Sequence, residues 1–327
     1  MITIDLLTGI LGSGKTTFLR EYARHWISRG EHIAILENDF GAVNVDVMML
    51  QDLKCDTCEI AMITGGGDPD CHRRRFKTQL INLQMQGVQR VIMEPSGIFD
   101  MDEFFDTLHE SPIDRWYQIG SILAVVDAGL EDELTDQMEY LLASEAACAG
   151  RLLLSKLDSL GSGETPEQAV QRVLTHINRA LGEIRCRRTF SERDVFTGDW
   201  ASLTDAEFAA LSQSGYRNEP YVKRFSADDI RSSVHYFLHV ALPEERICAI
   251  AQEILNDPEC GRIFRIKGSL PSAHGDWYKL NATREKTELA PVADGQPVLI
   301  VIGDHLSRQA VDRHLTAENT DPDYVSV

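Results

Sequence analysis

Residues Gly9-Ile10-Leu11-Gly12-Ser13-Gly14-Lys15-Thr16 fit the spacing G-x-x-x-x-G-K-[ST], and no other segment of the 327-residue chain restricts its architecture as strongly. The octapeptide follows the apolar run Ile2–Leu7 and opens an amphipathic stretch, Thr16–Ser28, so it reads as the turn between a buried strand and a helix. Its glycines let backbone N–H groups curl around phosphates, and the helix N-terminus adds the positive end of its dipole. Lys15 is placed to bridge β- and γ-phosphate oxygens, and the Thr16 hydroxyl to ligate Mg²⁺. Gly9, Gly12, Ser13, Gly14, Lys15, Thr16 and Thr17 are therefore nucleotide-site candidates, with Lys15 also catalytic through its charge.

The rest of the first half repeats this alternation. Apolar runs at His32–Glu37, Arg90–Glu94, Ser121–Asp127 and Arg151–Ser155 read as strands, and Asp70–Gly87, Asp136–Ala149 and Glu167–Leu181 as helices. That order predicts an α/β, doubly wound, mostly parallel sheet of P-loop NTPase type, with ligands in the crevice outside the carboxyl ends of the strands. The pattern weakens between Thr197 and Arg217. A different order follows: helical Leu242–Leu255, then extended Arg262–Lys267, Trp277–Asn281 and Val298–Ile302. The reading is a nucleotide domain over 1–200 and a smaller C-terminal α+β domain over 219–327, with Glu318–Val327 as a loose tail.

Composition narrows the function classes. No run of about eighteen apolar residues predicts a membrane span, and the apolar start, Met1–Leu11, reads as a strand running into the glycine loop rather than as a signal peptide. Seven irregularly spaced cysteines do not resemble a secreted disulfide framework, so the expectation is the reducing cytoplasm. A net charge of −19 opposes nucleic-acid binding, and Arg73-Arg74-Arg75 reads as a solvated face.

Base choice is read from Ser155-Lys156-Leu157-Asp158, which resembles the Asn-Lys-x-Asp element of GTPases. A carboxylate at Asp158 accepts from guanine N1–H and the 2-amino group, a donor pair that adenine lacks. Serine at 155 departs from the usual asparagine, which contacts the base and ties its loop to the phosphate loop, so weaker affinity or relaxed selectivity is expected.

Four further segments, Glu37-Asn38-Asp39-Phe40-Gly41, Glu94-Pro95-Ser96-Gly97, Val125-Val126-Asp127-Ala128 and the Ser-Lys-x-Asp, together with the phosphate loop, resemble the CobW-like branch of metal-handling P-loop GTPases. Those are relatives of the nickel-insertion GTPases of urease and hydrogenase maturation. Phe264-Arg265-Ile266-Lys267-Gly268, Trp277-Tyr278 and Ile302-Gly303 resemble the CobW C-terminal domain, so the likeness spans most of the chain. The resemblance implies Mg-dependent GTP hydrolysis with slow intrinsic turnover, a C-terminal domain for partners, delivery of a metal or metallocofactor to a client metalloprotein, and a homodimer. It also implies that Glu37 and Asp39 lie in a first switch and Glu94 near the γ-phosphate. There they hold Mg²⁺ waters, in the case of Glu94, or orient the attacking water, and Gly97 approaches through its backbone. Their individual roles are not separable.

Where the family carries Gly-Cys-x-Cys-Cys, this chain reads Gly65-Gly66-Gly67-Asp68-Pro69-Asp70-Cys71-His72. Cys55-x-x-Cys58 followed by Cys71-His72 resembles zinc-ligand spacing, so Cys55, Cys58, Cys71 and His72 are candidate ligands for zinc or another soft metal, an Fe–S cluster included. Ordinary cytosolic thiols are the competing reading. If metal binds there, the loop Asp46–Phe76, which begins at the switch, would couple it to hydrolysis. His235 and His239 suit a strand better than a shared helix face, and Phe104-Phe105 read as packing groups. The alternative functions are a nucleotide-gated client-binding regulator without its own transferable metal, and a small-molecule phosphotransferase, which the Ser-Lys-x-Asp weakens.

Overall fold

The computed structural model describes residues 1–10, 12–39, 50–64, 69–95, 99, 101–130, 134–160, 163–225, 234–272, 275–284, 286–292 and 295–326. They fall into two compact units, one ending by Phe225 and the other beginning by Val234.

The first unit runs β1 (Ile2–Thr8), α1 (Lys15–Ser28), β2 (Ile33–Asp39), β3 (Cys58–Thr64), α2 (Pro69–Gln86), β4 (Arg90–Pro95), α3 (Met101–His109), β5 (Tyr117–Asp127), α4 (Asp136–Cys148), β6 (Arg151–Ser155), α5 (Pro166–Glu183), β7 (Val195–Phe196) and α6 (Asp205–Ser212). Its seven strands are all parallel, in the order β3-β2-β4-β1-β5-β6-β7. The chain leaves β1 toward one edge, returns at β4 and then builds toward the other, so the crevice opens at the carboxyl end of β1, where the glycine loop sits. Helix α1 closes one face by burying Phe18, Leu19, Tyr22 and Trp26 against Leu7, Ile35, Ile92 and Val125. Each such side chain contributes about 1.5–3 kcal/mol. α5 starts at a capping box between Thr165 and Gln168 with proline at its first position, and buries Val173, Ile177 and Leu181 at helical spacing.

One charged cluster is built into this core. The Asp5 carboxylate, fully buried in β1, accepts from the Arg90 guanidinium, from the Tyr22 hydroxyl at 2.9 Å and from the Ser121 N–H at 2.8 Å. Burial pushes its carboxyl above the usual range, and Arg90 opposes that shift. Arg90 also stacks 3.9 Å over the Trp26 ring.

The second unit runs β8 (Val234–Leu238), α7 (Glu244–Asn256), β9 (Arg262–Pro271), β10 (Trp277–Ala282), β11 (Thr287–Val292), β12 (Val298–Asp304), α8 (Arg308–Thr316) and β13 (Val325–Ser326). The strands form an antiparallel sheet in the order β11-β10-β9-β12-β8-β13. Ile247, Ile250 and Ile254 of α7 and Val311 of α8 share one core with Ile263, Ile266, Leu280 and Val301. His235 lies in β8, and His239 stands beyond it at φ 56°, so the two share no helix face.

Two expectations need correction. Cys58–Thr64 is an edge strand, not part of a loop. Its residues 59–62 are only partly buried, so they lack the apolar run that marks the central strands. The C-terminal stretch is docked rather than loose. Glu318 accepts from Arg246 at 2.6 Å, Asn319 Oδ1 from the Ala241 N–H at 2.6 Å, and the Tyr324 hydroxyl donates to Asp312 at 2.7 Å. Polar and main-chain contacts of this kind leave no trace in hydrophobic periodicity. No helix among the described residues is long and apolar enough to cross a membrane.

Candidate nucleotide site

The loop between β1 and α1 is shaped for close approach. Gly9, Gly12 and Gly14 have φ of 140°, 89° and 103°, where side chains are strained. A Cβ on Gly9 would stand 2.2 Å from the Val125 carbonyl oxygen. Helix α1 has Gly14 as its N-cap, with no side-chain cap and no acidic residue in its first turn, so its leading N–H groups are left for an anion. Lys15 is 5% exposed, and its ammonium donates to the Gly9 carbonyl at 2.7 Å. Ser13 Oγ is buried without a hydrogen-bond partner. An uncapped helix end, a buried ammonium and an orphaned hydroxyl together fit a polyphosphate.

An all-oxygen set faces this cradle. Thr16 Oγ1 donates to Glu94 Oε1 at 3.0 Å. Glu94 of β4 lies in register with Glu37 of β2, and both are buried, at 5% and 3% exposure. Register partners on adjacent parallel strands project from one sheet face with backbones about 4.8 Å apart, so two carboxylates are held side by side in low dielectric. A hydroxyl and two carboxylates suit a hard divalent cation, which would relieve their repulsion. Asp39 ends β2, while Gly97 lies outside the described residues.

On the other flank, the Ser155 hydroxyl donates to the Ser13 carbonyl at 2.5 Å and is 5% exposed. The serine thus makes the tie to the phosphate loop that the usual asparagine of this element would supply. Lys156, at φ 57°, pairs with Asp127, and Asp158 stands exposed on the following turn, Leu157–Ser159. The Trp200 ring covers the same side, 3.4 Å from where a Cβ on Gly14 would lie, and packs edge-on to Phe18.

The four candidate soft-metal ligands do not assemble. Cys55 and Cys58 form a tight bridged turn where β3 starts, whereas Cys71 and His72 follow its far end. Seven strand residues separate the pairs by about 20 Å. His72 instead clamps three elements. Its Nδ1 lies 2.7 Å from Glu103 of α3 and its Nε2 2.7 Å from the Asn38 amide oxygen, between Glu37 and Asp39.

Sequence reasoning also missed Glu145 of α4. Its carboxyl is fully buried beneath the phosphate loop, with the Gly9 N–H and the Thr8 hydroxyl only weakly aligned on it. Burial raises its pKa to about 7, with Lys15 and the Gly9 and Thr8 groups acting in the opposite direction. Between about pH 4.5 and about 7 the native protein keeps this proton while an unfolded glutamate has lost it, so stability falls as pH rises through that window. Glu145→Gln is expected to remove this dependence. Its unfolding free energy relative to wild type should improve by about 3 kcal/mol between acid and mildly alkaline solution, read from denaturant melts at a series of pH values. A constant difference across the series would contradict a buried ionisation. A glutamate inside the apolar run Leu141-Leu142-Ala143-Ser144-Glu145-Ala146-Ala147 is the sequence signal that could have exposed it.

The profile of the CobW/HypB/UreG nucleotide-binding domain matches residues 3–183. The chain is 32% identical over 180 residues to the zinc chaperone YjiA of Escherichia coli (strain K12), covering 53% of this chain and 54% of that protein. It is 30% identical over 176 residues to the zinc chaperone YeiR of the same organism, covering 53% and 51%. The aligned part spans about half the length of these curated relatives. The crystal structure of Zn(II)-bound YjiA GTPase from E. coli aligns over 98% of this chain and 99% of that one, at 19% identity and a TM-score of 0.39. With the family profile covering more than half of the chain and running through the glycine loop, the two buried carboxylates and the Ser-Lys-x-Asp turn, this protein belongs to the CobW/HypB/UreG family.

Proposed function

We propose that the protein binds GTP with Mg²⁺, hydrolyses it slowly, and uses that cycle to deliver a metal or metallocofactor to a client protein. The observation that carries the nucleotide half is the buried Lys15 ammonium at an uncapped helix N-terminus, facing Thr16, Glu94 and Glu37. In this reading the N–H groups of Gly12–Thr17 and Lys15 hold the phosphates, and Thr16 and Glu94 hold the cation, Glu94 through water. Mg²⁺ would supply charge neutralisation across the phosphates. Glu37, Asp39 and Glu94 fix the attacking water, with Gly97 near the γ-phosphate, while Ser155 braces the phosphate loop and Lys156 and Asp158 address the guanine. A nucleotide domain followed by a C-terminal α+β domain, a cytoplasmic location and a homodimer belong to the same proposal.

The cargo half is supported by similarity to two proteins named zinc chaperones. The dispersal of Cys55, Cys58 and Cys71 favours a second reading, a GTP-gated client-binding regulator that carries no metal of its own. Two measurements separate them: metal content after chelator-free purification, and zinc affinity with GDP against a non-hydrolysable GTP analogue. Delivery predicts bound metal and an affinity that differs between nucleotide states. Metal-free protein with one zinc affinity in both states would leave the regulator.

A further inference from the structure

We infer a metal site in the C-terminal unit, formed by Asp257, Cys260 and His314, that takes a zinc-like divalent cation through one carboxylate oxygen, one sulfur and one imidazole nitrogen. The three donor atoms lie within 4.8 Å of one another. They come from two elements that the fold holds together independently of any ion.

Asp257 ends α7 and caps the short turn Pro258–Cys260. Its Oδ1 accepts from the Glu259 N–H at 2.9 Å, which fixes the carboxylate and turns Oδ2 toward the other two groups. The Cys260 thiol is fully buried, and its Sγ stands 3.7 Å from that Oδ2. Its backbone is pinned on both sides, N–H to the Asp257 carbonyl at 3.0 Å and carbonyl to the Ser307 N–H at 3.1 Å. His314 reaches in from α8, with Nε2 2.7 Å from the same Oδ2. One residue earlier, Arg313 pairs with Glu259 at 2.7 Å, which clips α8 to the turn and balances the extra carboxylate.

A histidine–aspartate hydrogen bond alone would account for the Asp257–His314 contact. The Cys260 thiol donates to the same oxygen from a turn whose backbone is pinned, so sulfur, carboxylate and imidazole converge on one point. Zinc with bonds of about 2.0–2.3 Å separates its ligands by about 3.5 Å, so the 2.7 Å contact must open by less than about 1 Å while the sulfur is already in range. A thiolate, a carboxylate and a neutral imidazole balance a divalent charge, and mixed S, N and O donors select zinc-like ions over Mg²⁺ or Ca²⁺. The side chains of Asp257 and His314 remain about one-quarter exposed, which gives an ion access and leaves a fourth position for water. Three protein ligands with an open position suit an exchangeable ion, and the assignment does not depend on the GTPase reading.

The test is titration of the reduced 327-residue protein with Co²⁺, followed by absorption and by competition with Zn²⁺. The expected result is a sulfur-to-cobalt charge-transfer band with tetrahedral visible bands, erased by zinc. The band should persist in the Cys55→Ser/Cys58→Ser/Cys71→Ser variant and vanish in Cys260→Ser. Asp257→Asn keeps the capping oxygen, so it should fold as wild type yet bind cobalt at least about 10-fold more weakly, since loss of a ligand's outer-shell partner alone costs that much, and so should His314→Gln. A charge-transfer band that survives Cys260→Ser, wild-type affinity in the Asp257 and His314 variants, or no cobalt retained by wild type would each overturn the assignment.

Discussion

Lys15→Ala is expected to lower kcat/KM for GTP by about 10²–10³-fold, the range found when one preorganised donor to developing charge is removed. The structure explains why no neighbour can substitute. Lys15 is 5% exposed, and its ammonium is held inside the loop on the Gly9 carbonyl at 2.7 Å. The longer, planar guanidinium of Lys15→Arg should therefore fail to rescue. The fold should survive, because the residue lost is a buried cation rather than a core apolar group. Lys15 also favours the ionised form of Glu145, so the variant should shift the Glu145 pH dependence upward. Phosphate release and binding of a fluorescent GTP analogue, with melts as control, measure this. Turnover within about fivefold of wild type would remove Lys15 from the phosphate site.

Arg90→Met should cost about 3–5 kcal/mol of stability, because it strands Asp5 as a buried charge without its cation. The sign with pH follows from the raised Asp5 carboxyl. Without Arg90 it rises further, so the deficit is largest near neutral pH and shrinks in acid, where the carboxyl is protonated. Asp5→Asn/Arg90→Met should recover most of the loss by removing both charges. Urea unfolding of the single and double variants at two pH values checks both points. A double variant no more stable than Arg90→Met would show that packing against Trp26, not charge, dominates.

What could be read in advance depended on how the information is carried. The phosphate loop announced itself because its glycines, lysine and threonine are local in sequence and lie between a fully apolar strand and an amphipathic helix. The central strands were legible for the same reason, since burial on both faces yields unbroken runs such as Arg90–Glu94. β3 was not, because an edge strand covered on one side mixes Glu59 and Met62 with Ile60 and Ile63. α3 was reduced to a pair of packing phenylalanines, Phe104 and Phe105, because nine residues give too short a period to recognise. The C-x-x-C pair had a plausible spacing to Cys71, but spacing is blind to a strand that carries the two ends apart. Long-range partners were hidden altogether. Nothing near Ser155 in sequence shows that its hydroxyl reaches Ser13, nor that His72 meets Asn38 and Glu103, nor that Asp257, Cys260 and His314 converge.

Ser155 bears directly on specificity. If its hydroxyl braces the phosphate loop, discrimination between bases falls to Asp158, which stands exposed with its carboxylate engaged only by Ser159 Oγ at 3.3 Å among the contacts described. The measurement that tests the account most directly is kcat/KM for GTP and for ATP, with Mg²⁺, in wild type and Asp158→Asn. The account predicts a GTP preference of about 100-fold or more in wild type, lost chiefly through GTP in the variant, since a site built to accept from guanine N–H groups rejects a base without them. Equal use of GTP and ATP by wild type, or a preference unchanged in Asp158→Asn, would contradict it.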